Sequence, residues 1–97
     1  MDVQSEKLLA HLIRSTRTAS LGTLRDEAPH VSMVAFVTLD DFSEFHIHVS
    51  RLAQHTMDMQ KDRRICLLIA ETDDSRSDPQ TLTRVSIRGN AALMQNG

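Results

Sequence analysis

Between Phe45 and Met59 the spacing of apolar side chains changes period, and that change constrains the fold more than any other feature of the chain. Phe45-His46-Ile47-His48-Val49 alternates apolar with polar, the pattern of a half-buried strand. Leu52, Thr56 and Met59 then fall at i, i+4 and i+7, one face of a short helix that ends near Asp62. Ser50 stands between the two patterns as an N-cap. The first turn of a helix carries N–H groups with no intrahelical partner, and here Ser50, Arg51, His55 and Thr56 would surround them with hydroxyl, guanidinium and imidazole groups. A strand that feeds a helix in this way suits an anionic ligand. An ordinary capped helix with a polar first turn carries the same pattern.

The remaining segments are mostly strands. Ser5 to Arg14 places Leu8, Leu9, Leu12 and Ile13 on one stripe of a short amphipathic helix. Ala19 to Leu24 is a first strand, Arg25-Asp26-Glu27-Ala28 a turn, and His30 to Leu39 a second strand entered through Pro29. Asp40-Asp41-Phe42-Ser43 closes a hairpin onto the strand from Phe45. Pairing Leu39 with Glu44 sets Phe36 opposite Ile47, Val34 opposite Val49, Val37 opposite His46 and Ala35 opposite His48. One face then carries Val34, Phe36, Phe45, Ile47 and Val49 as core. The other carries Met33, Ala35, Val37, His46, His48 and Ser50, a mixture that suits a subunit interface or the surface beneath a flat ligand. Ile65 to Ala70 shows little alternation, as expected of a strand covered on both faces, whereas Val85, Ile87, Gly89, Ala91 and Leu93 alternate with Arg84, Ser86, Arg88 and Asn90. Five strands with two short helices leave too little helix for parallel crossovers, so the expected class is mostly β, an antiparallel barrel.

Composition limits the partners. A chain of 97 residues with 40% hydrophobic content makes one domain, residues 1–97. At this size roughly 60–70% of the unfolded surface is buried, so a small barrel gains much from a second copy, and a homodimer is expected. A formal charge of −2, no Lys/Arg-dense run and no Tyr or Trp to stack on bases argue against nucleic acid. The lone Cys66 sits in a continuous apolar run with no activating neighbour and reads as a buried structural thiol. With no signal-peptide pattern and no apolar run of about 18 residues, the expectation is a cytoplasmic protein that does not engage a membrane.

In order and spacing, the segments Ala19 to Leu24, Pro29 to Val37, Phe45 to Thr56 and Arg63 to Ile69 resemble the FMN-binding split-barrel family, which includes pyridoxamine 5′-phosphate oxidase. Ser50-Arg51-Leu52-Ala53 followed by His55-Thr56, and the later run from Arg84 to Ala91, are most similar to its branch of haem-utilisation proteins and flavin-binding relatives. The resemblance runs from about Thr18 to Met94. It implies an antiparallel split β-barrel, here lacking the last family strand, either as a piece of a longer family member or with the barrel completed in another way. It also implies a homodimer that binds FMN and a small-molecule substrate or electron donor, as a flavin-dependent oxidoreductase. The alternative is a non-catalytic module holding FMN or haem. Carried over from the family, Ser50, Arg51, His55 and Thr56 lie on the phosphate side. Pro29, Val31, Ser32, Met33, Val34 and Ala35 lie on the ring side, partly through backbone groups. The pyridoxamine-phosphate oxidases carry arginine where Ser32 stands, lysine near Val37 and lysine near His55, so their substrate specificity does not transfer. Catalytic residues stay unassigned.

Other chemistries find less support. His30, His46 and His48 could converge on one sheet face, but His-x-His lacks an obvious third ligand, and no metal is expected. There is no Gly-x-Ser-x-Gly elbow for a hydrolase, and Arg84 and Arg88 read as solvated charges on an outer face.

Overall fold

The computed structural model describes residues 3–39 and 41–93. Among these, helix α1 (Val3–Ser15) precedes strands β1 (Thr18–Arg25), β2 (Ala28–Thr38) and β3 (Phe45–His48). Helix α2 (Gln54–Lys61) follows, then β4 (Arg64–Ala70), a 3₁₀ turn at Pro79–Thr81 and β5 (Arg84–Asn90). The strands form one five-stranded sheet in the order β3-β2-β1-β4-β5, every pairing antiparallel. This is the mostly β, antiparallel architecture expected from the pattern, in the split-barrel form that the family resemblance implies. No helix among the described residues is long and apolar enough to cross a membrane.

Side-chain parity decides which face is buried. In β1 the inward row is Ala19, Leu21 and Thr23, and in β2 it is His30, Ser32, Val34 and Phe36. Leu21 on the central strand and Ile69 on β4 are fully buried, and Leu12 and Ile13 of α1 and Met59 of α2 close over the same face with Leu67. The β2–β3 register matches the expectation, with Ala35 opposite His48, Phe36 opposite Ile47 and Val37 opposite His46. The Leu39 N–H donates to the Glu44 carbonyl at 3.3 Å and closes the hairpin, whose loop residue Asp40 lies outside the described residues. The β1–β2 hairpin is tighter. Asp26 and Glu27 both take positive φ, 53° and 67°, the left-handed pair that a two-residue hairpin of this twist requires, and they register Thr23 against His30.

Four expectations need correction. Helix α2 starts at Gln54 rather than just after Ser50; Ala53 occupies the cap position and no side chain caps the helix. Ser50 instead forms a preceding turn, its hydroxyl accepting from the Leu52 N–H at 3.2 Å and its carbonyl from the Ala53 N–H at 3.2 Å. Leu52, expected on the apolar helix face, therefore lies on that turn and is 89% exposed. Strand β4 is covered on one face only, since Leu67 and Ile69 are buried while Leu68 and Ala70 are exposed. Cys66 belongs to the less covered row and is half-buried rather than buried, opposite Gly22 and Arg88. An unbroken apolar run cannot show whether its second face has a partner, because period-two exposure is set by what packs above it.

Truncating Leu21 to Ala should cost about 2–5 kcal/mol in chemical denaturation, because its cavity would sit beneath the central strand. Leu52→Ala should stay within about 0.5 kcal/mol of the parent.

Candidate functional site

The inner face of the sheet changes character along its length. Around Ala19, Leu21, Val34 and Phe36 it is apolar and buried. Toward the Asp26-Glu27 turn the same inward rows become Thr23 with His30 and Ser32, and Arg25 ends β1. Helix α2 covers this polar end with Gln54, His55 and Asp58. Between them lies an open pocket of about 200 Å³ lined by Thr23, Arg25, His30, Val31, Ser32, Gln54, His55 and Asp58.

Its strongest interaction joins strand to helix. Arg25 Nε donates to Asp58 Oδ1 at 3.0 Å and Arg25 Nη2 donates to Oδ2 at 3.1 Å, a two-pronged fork. Gln54, one turn before Asp58, donates its Nε2 to Oδ1 at 2.9 Å. Asp58 is 3% exposed while the Arg25 side chain is 40% exposed, so the carboxylate lies beneath and the guanidinium faces the opening. The Arg25 and Gln54 hydrogen bonds hold the Asp58 carboxyl below the usual carboxylate range, with a smaller contribution from the charge of His30.

Beside this fork, His55 Nδ1 lies 3.0 Å from Ser32 Oγ. The other ring nitrogen, Nε2, is buried and has no hydrogen-bond partner among the described residues. A buried imidazole nitrogen without a partner is costly unless a ligand or water completes it. If the Ser32 hydroxyl donates to Nδ1, Nε2 carries the proton and offers a donor.

Ser32 and His55, anticipated on opposite ends of a cofactor, therefore meet directly. Thr56 is buried, and its hydroxyl donates to the Ser50 carbonyl, holding the turn before α2. Arg51 is exposed on that turn, with no ion-pair or hydrogen-bond partner among the described residues. Val34 points into the core, so only its backbone is available to a ligand, whereas Met33 and Ala35 project from the opposite sheet face. Along with Val31 (75% exposed), Met33 (71%), Val37 (66%) and Leu68, they make that outer face a bare apolar strip. His46 and His48 belong to the outer row and His30 to the inner one, so the three histidines do not converge. His46 Nε2 lies 2.9 Å from Glu44 Oε2. Among the described residues no three His, Cys, Asp or Glu side chains gather as they would around a metal ion.

Arg25, His30, Gln54 and Asp58 were missed as site residues. Strand parity pointed to the first two: counting by twos from Leu21 reaches Thr23 and Arg25, and counting back from Val34 reaches Ser32 and His30, whereas no such count reaches Gln54 and Asp58.

An antiparallel half-barrel with a polar pocket where a helix crosses the hairpin end of its sheet defines the split-barrel class. Comparison with known families narrows this: the model of the family described as pyridoxamine 5′-phosphate oxidase matches residues 5–97. The chain belongs to that family. Curated protein sequences give no match. Among solved structures, one that is 31% identical superposes with a TM-score of 0.85 and covers 100% of this chain. The heme storage protein HutZ from Vibrio cholerae is 17% identical, with a TM-score of 0.80 over 94% of this chain, a likeness of fold. A heme binding protein from Mycobacterium smegmatis is 26% identical, with a TM-score of 0.78 over 99% of this chain. The chain spans 64%, 63% and 38% of the lengths of those three chains.

Because the folded Asp58 carboxyl sits below the unfolded value of about 3.9, the unfolded chain binds more protons between the two values, and stability rises with pH there. The Asp58 contribution should be complete above about pH 5 and lost as pH falls through the folded value. Asp62, lowered to about 2 chiefly by its Arg64 hydrogen bonds, and Asp41, lowered by Ser43, add slopes of the same sign. Denaturant unfolding between pH 2 and 6 should show a shallower pH dependence in Asp58→Asn than in the parent; equal slopes would mean that the fork does not persist in solution.

Proposed function

We propose that this protein binds FMN and uses it as an oxidoreductase, with a small molecule as substrate or electron donor. The observation that carries the reading is the buried, unpartnered Nε2 of His55 beside Ser32, in a member of the pyridoxamine 5′-phosphate oxidase family. A phosphate oxygen is an acceptor that this nitrogen lacks. No described acceptor takes the backbone N–H groups of Gln54 and His55 at the start of α2 either, which favours an anion at the same place. The donor set therefore fits the phosphate end of the cofactor: His55 and the start of α2 would hold it, with Ser32 fixing the ring tautomer through Nδ1 and Arg51 reaching from the adjoining turn.

FMN, when bound, supplies reversible hydride and electron chemistry that no side chain here can provide. The chain's own part is to orient the ring and exclude water. Backbone groups of Ser32, Met33, Val34 and Ala35 are suited to the polar edge of a flavin, and the strip of Val31, Met33 and Val37 supplies an apolar wall. We propose that a second copy covers this strip, giving a homodimer in the cytoplasm. Four apolar side chains exposed together on one sheet face are costly in water, and their burial would also account for the unalternating pattern of β4.

The second reading is a module that holds haem or FMN without turnover. The Mycobacterium smegmatis neighbour, described as heme binding, favours it.

Titration of the purified protein with FMN and, separately, with haemin discriminates the two. Saturable FMN binding, with a flavin that NAD(P)H bleaches and air restores, is expected. Haemin binding with no flavin binding would replace the first reading by the second. Arg51→Ala should weaken FMN binding by about 1.5–3 kcal/mol if the guanidinium reaches the phosphate. In sedimentation, Met33→Asp should shift the protein toward monomer; an unchanged mass would remove the outer strip as the interface.

A further inference from the structure

Arg25 and Asp58 lie outside every motif that pointed to the cofactor, yet with Gln54 they form one wall of the pocket. Its donors and acceptors are unequally spent. Asp58 Oδ1 accepts from Arg25 Nε and Gln54 Nε2, and Oδ2 accepts from Arg25 Nη2, so a nearly inaccessible carboxylate is satisfied from within the protein. Arginine has five N–H donors, of which this fork uses one on Nε and one on Nη2. Two on Nη1 and one on Nη2 stay unused by the fork, on a side chain that is 40% exposed at the pocket. Across the opening stands His55, whose orphan Nε2 is a donor when the Ser32 hydroxyl donates to Nδ1. The surface offered to a ligand is thus rich in donors, while its one carboxylate is occupied. Such a surface suits a group with only acceptors, an oxyanion.

We propose that Arg25 contacts the oxyanion of the ligand in this pocket and that Asp58 is the positioning residue that aims it. This rests on the reading of the pocket as the phosphate end of the cofactor site and adds to the exposed Arg51 a second cation, one already held in place by the fold. An unrestrained arginine must be ordered each time it binds; here the fork from α2 has already fixed the guanidinium plane, so less freedom is lost on contact. Asp58 also ties ligand binding to helix placement, because the same carboxylate fastens α2 to the end of β1.

A purely structural fork would hold the helix and touch no ligand, and the experiment separates the two roles. Inorganic phosphate is titrated into the ¹⁵N-labelled protein while the Arg25 Nε signal is followed. FMN and riboflavin affinities are then measured for the parent, Arg25→Lys, Asp58→Asn and, as an outer-face control, Arg88→Lys. Phosphate is expected to shift the Arg25 signal saturably. Arg25→Lys, which keeps the charge but loses the fork, should weaken phosphate and FMN about tenfold and leave riboflavin, which has no phosphate, unchanged. Asp58→Asn should weaken phosphate although Arg25 is intact, and Arg88→Lys should change nothing. An Arg25 signal indifferent to phosphate overturns the proposal, as does an Arg25→Lys variant that loses FMN and riboflavin equally. Should Asp58→Asn not fold, the parent titration and Arg25→Lys decide by themselves. A parent that binds phosphate at Arg25 but not FMN upholds the oxyanion site and removes the flavin reading instead.

Discussion

Everything in this domain depends on burying one face of a sheet whose centre is β1. Leu21 on that strand has no exposed surface, and both neighbouring strands, α1 and α2 are arranged so that their apolar rows meet over it. Because strand side chains alternate strictly, fixing Leu21 inward fixes Ala19, Thr23 and Arg25 on the same parity, and through the β1–β2 register it fixes His30, Ser32 and Val34 as well. The pocket is therefore a continuation of the core. It arises where the inward row runs out of apolar residues before the strands end.

That continuity explains why polar groups can be held so firmly in a small domain. Leaving Arg25 and Asp58 unpaired at a half-covered edge would cost more than the edge can offset, so the two satisfy one another and recruit Gln54. Met59, the residue after Asp58, packs into the core, and this single helical turn links the hydrophobic and ionic contacts of α2. The His55–Ser32 contact is then positioned from both sides, by the helix and by β2. Its unfinished hydrogen bonding stands out because the Asp58 carboxylate beside it is satisfied on both oxygens.

The outer face follows a different logic. The same parity that gathers the core sends Val31, Met33 and Val37 outward, where they stand exposed among the described residues. Among the described residues both helices lie against the inner face of the five-stranded sheet. One surface holds a polar pocket and the opposite surface holds an apolar strip, and β2 contributes to both. A ligand addressed by the backbone of β2 would therefore feel both environments.

Local pattern by itself determined the strands, the antiparallel class, the β2–β3 register and the end of α2 near Asp62, because each follows from period and turn spacing among residues close in sequence. It also picked out His55, while Ser32 came from the family resemblance. Their contact was not legible, because 23 positions separate them and only the fold brings them to 3.0 Å. The Arg25–Asp58 fork spans 33 positions and depends on how α2 crosses the sheet, which no local period encodes. The start of α2 was misread because a serine before an apolar run satisfies the capping pattern whether or not the backbone has yet turned helical. Leu68 and Cys66 likewise could not be placed from the run that contains them. Whether an apolar residue is buried depends on what lies above it, and that is decided only when the whole chain has packed.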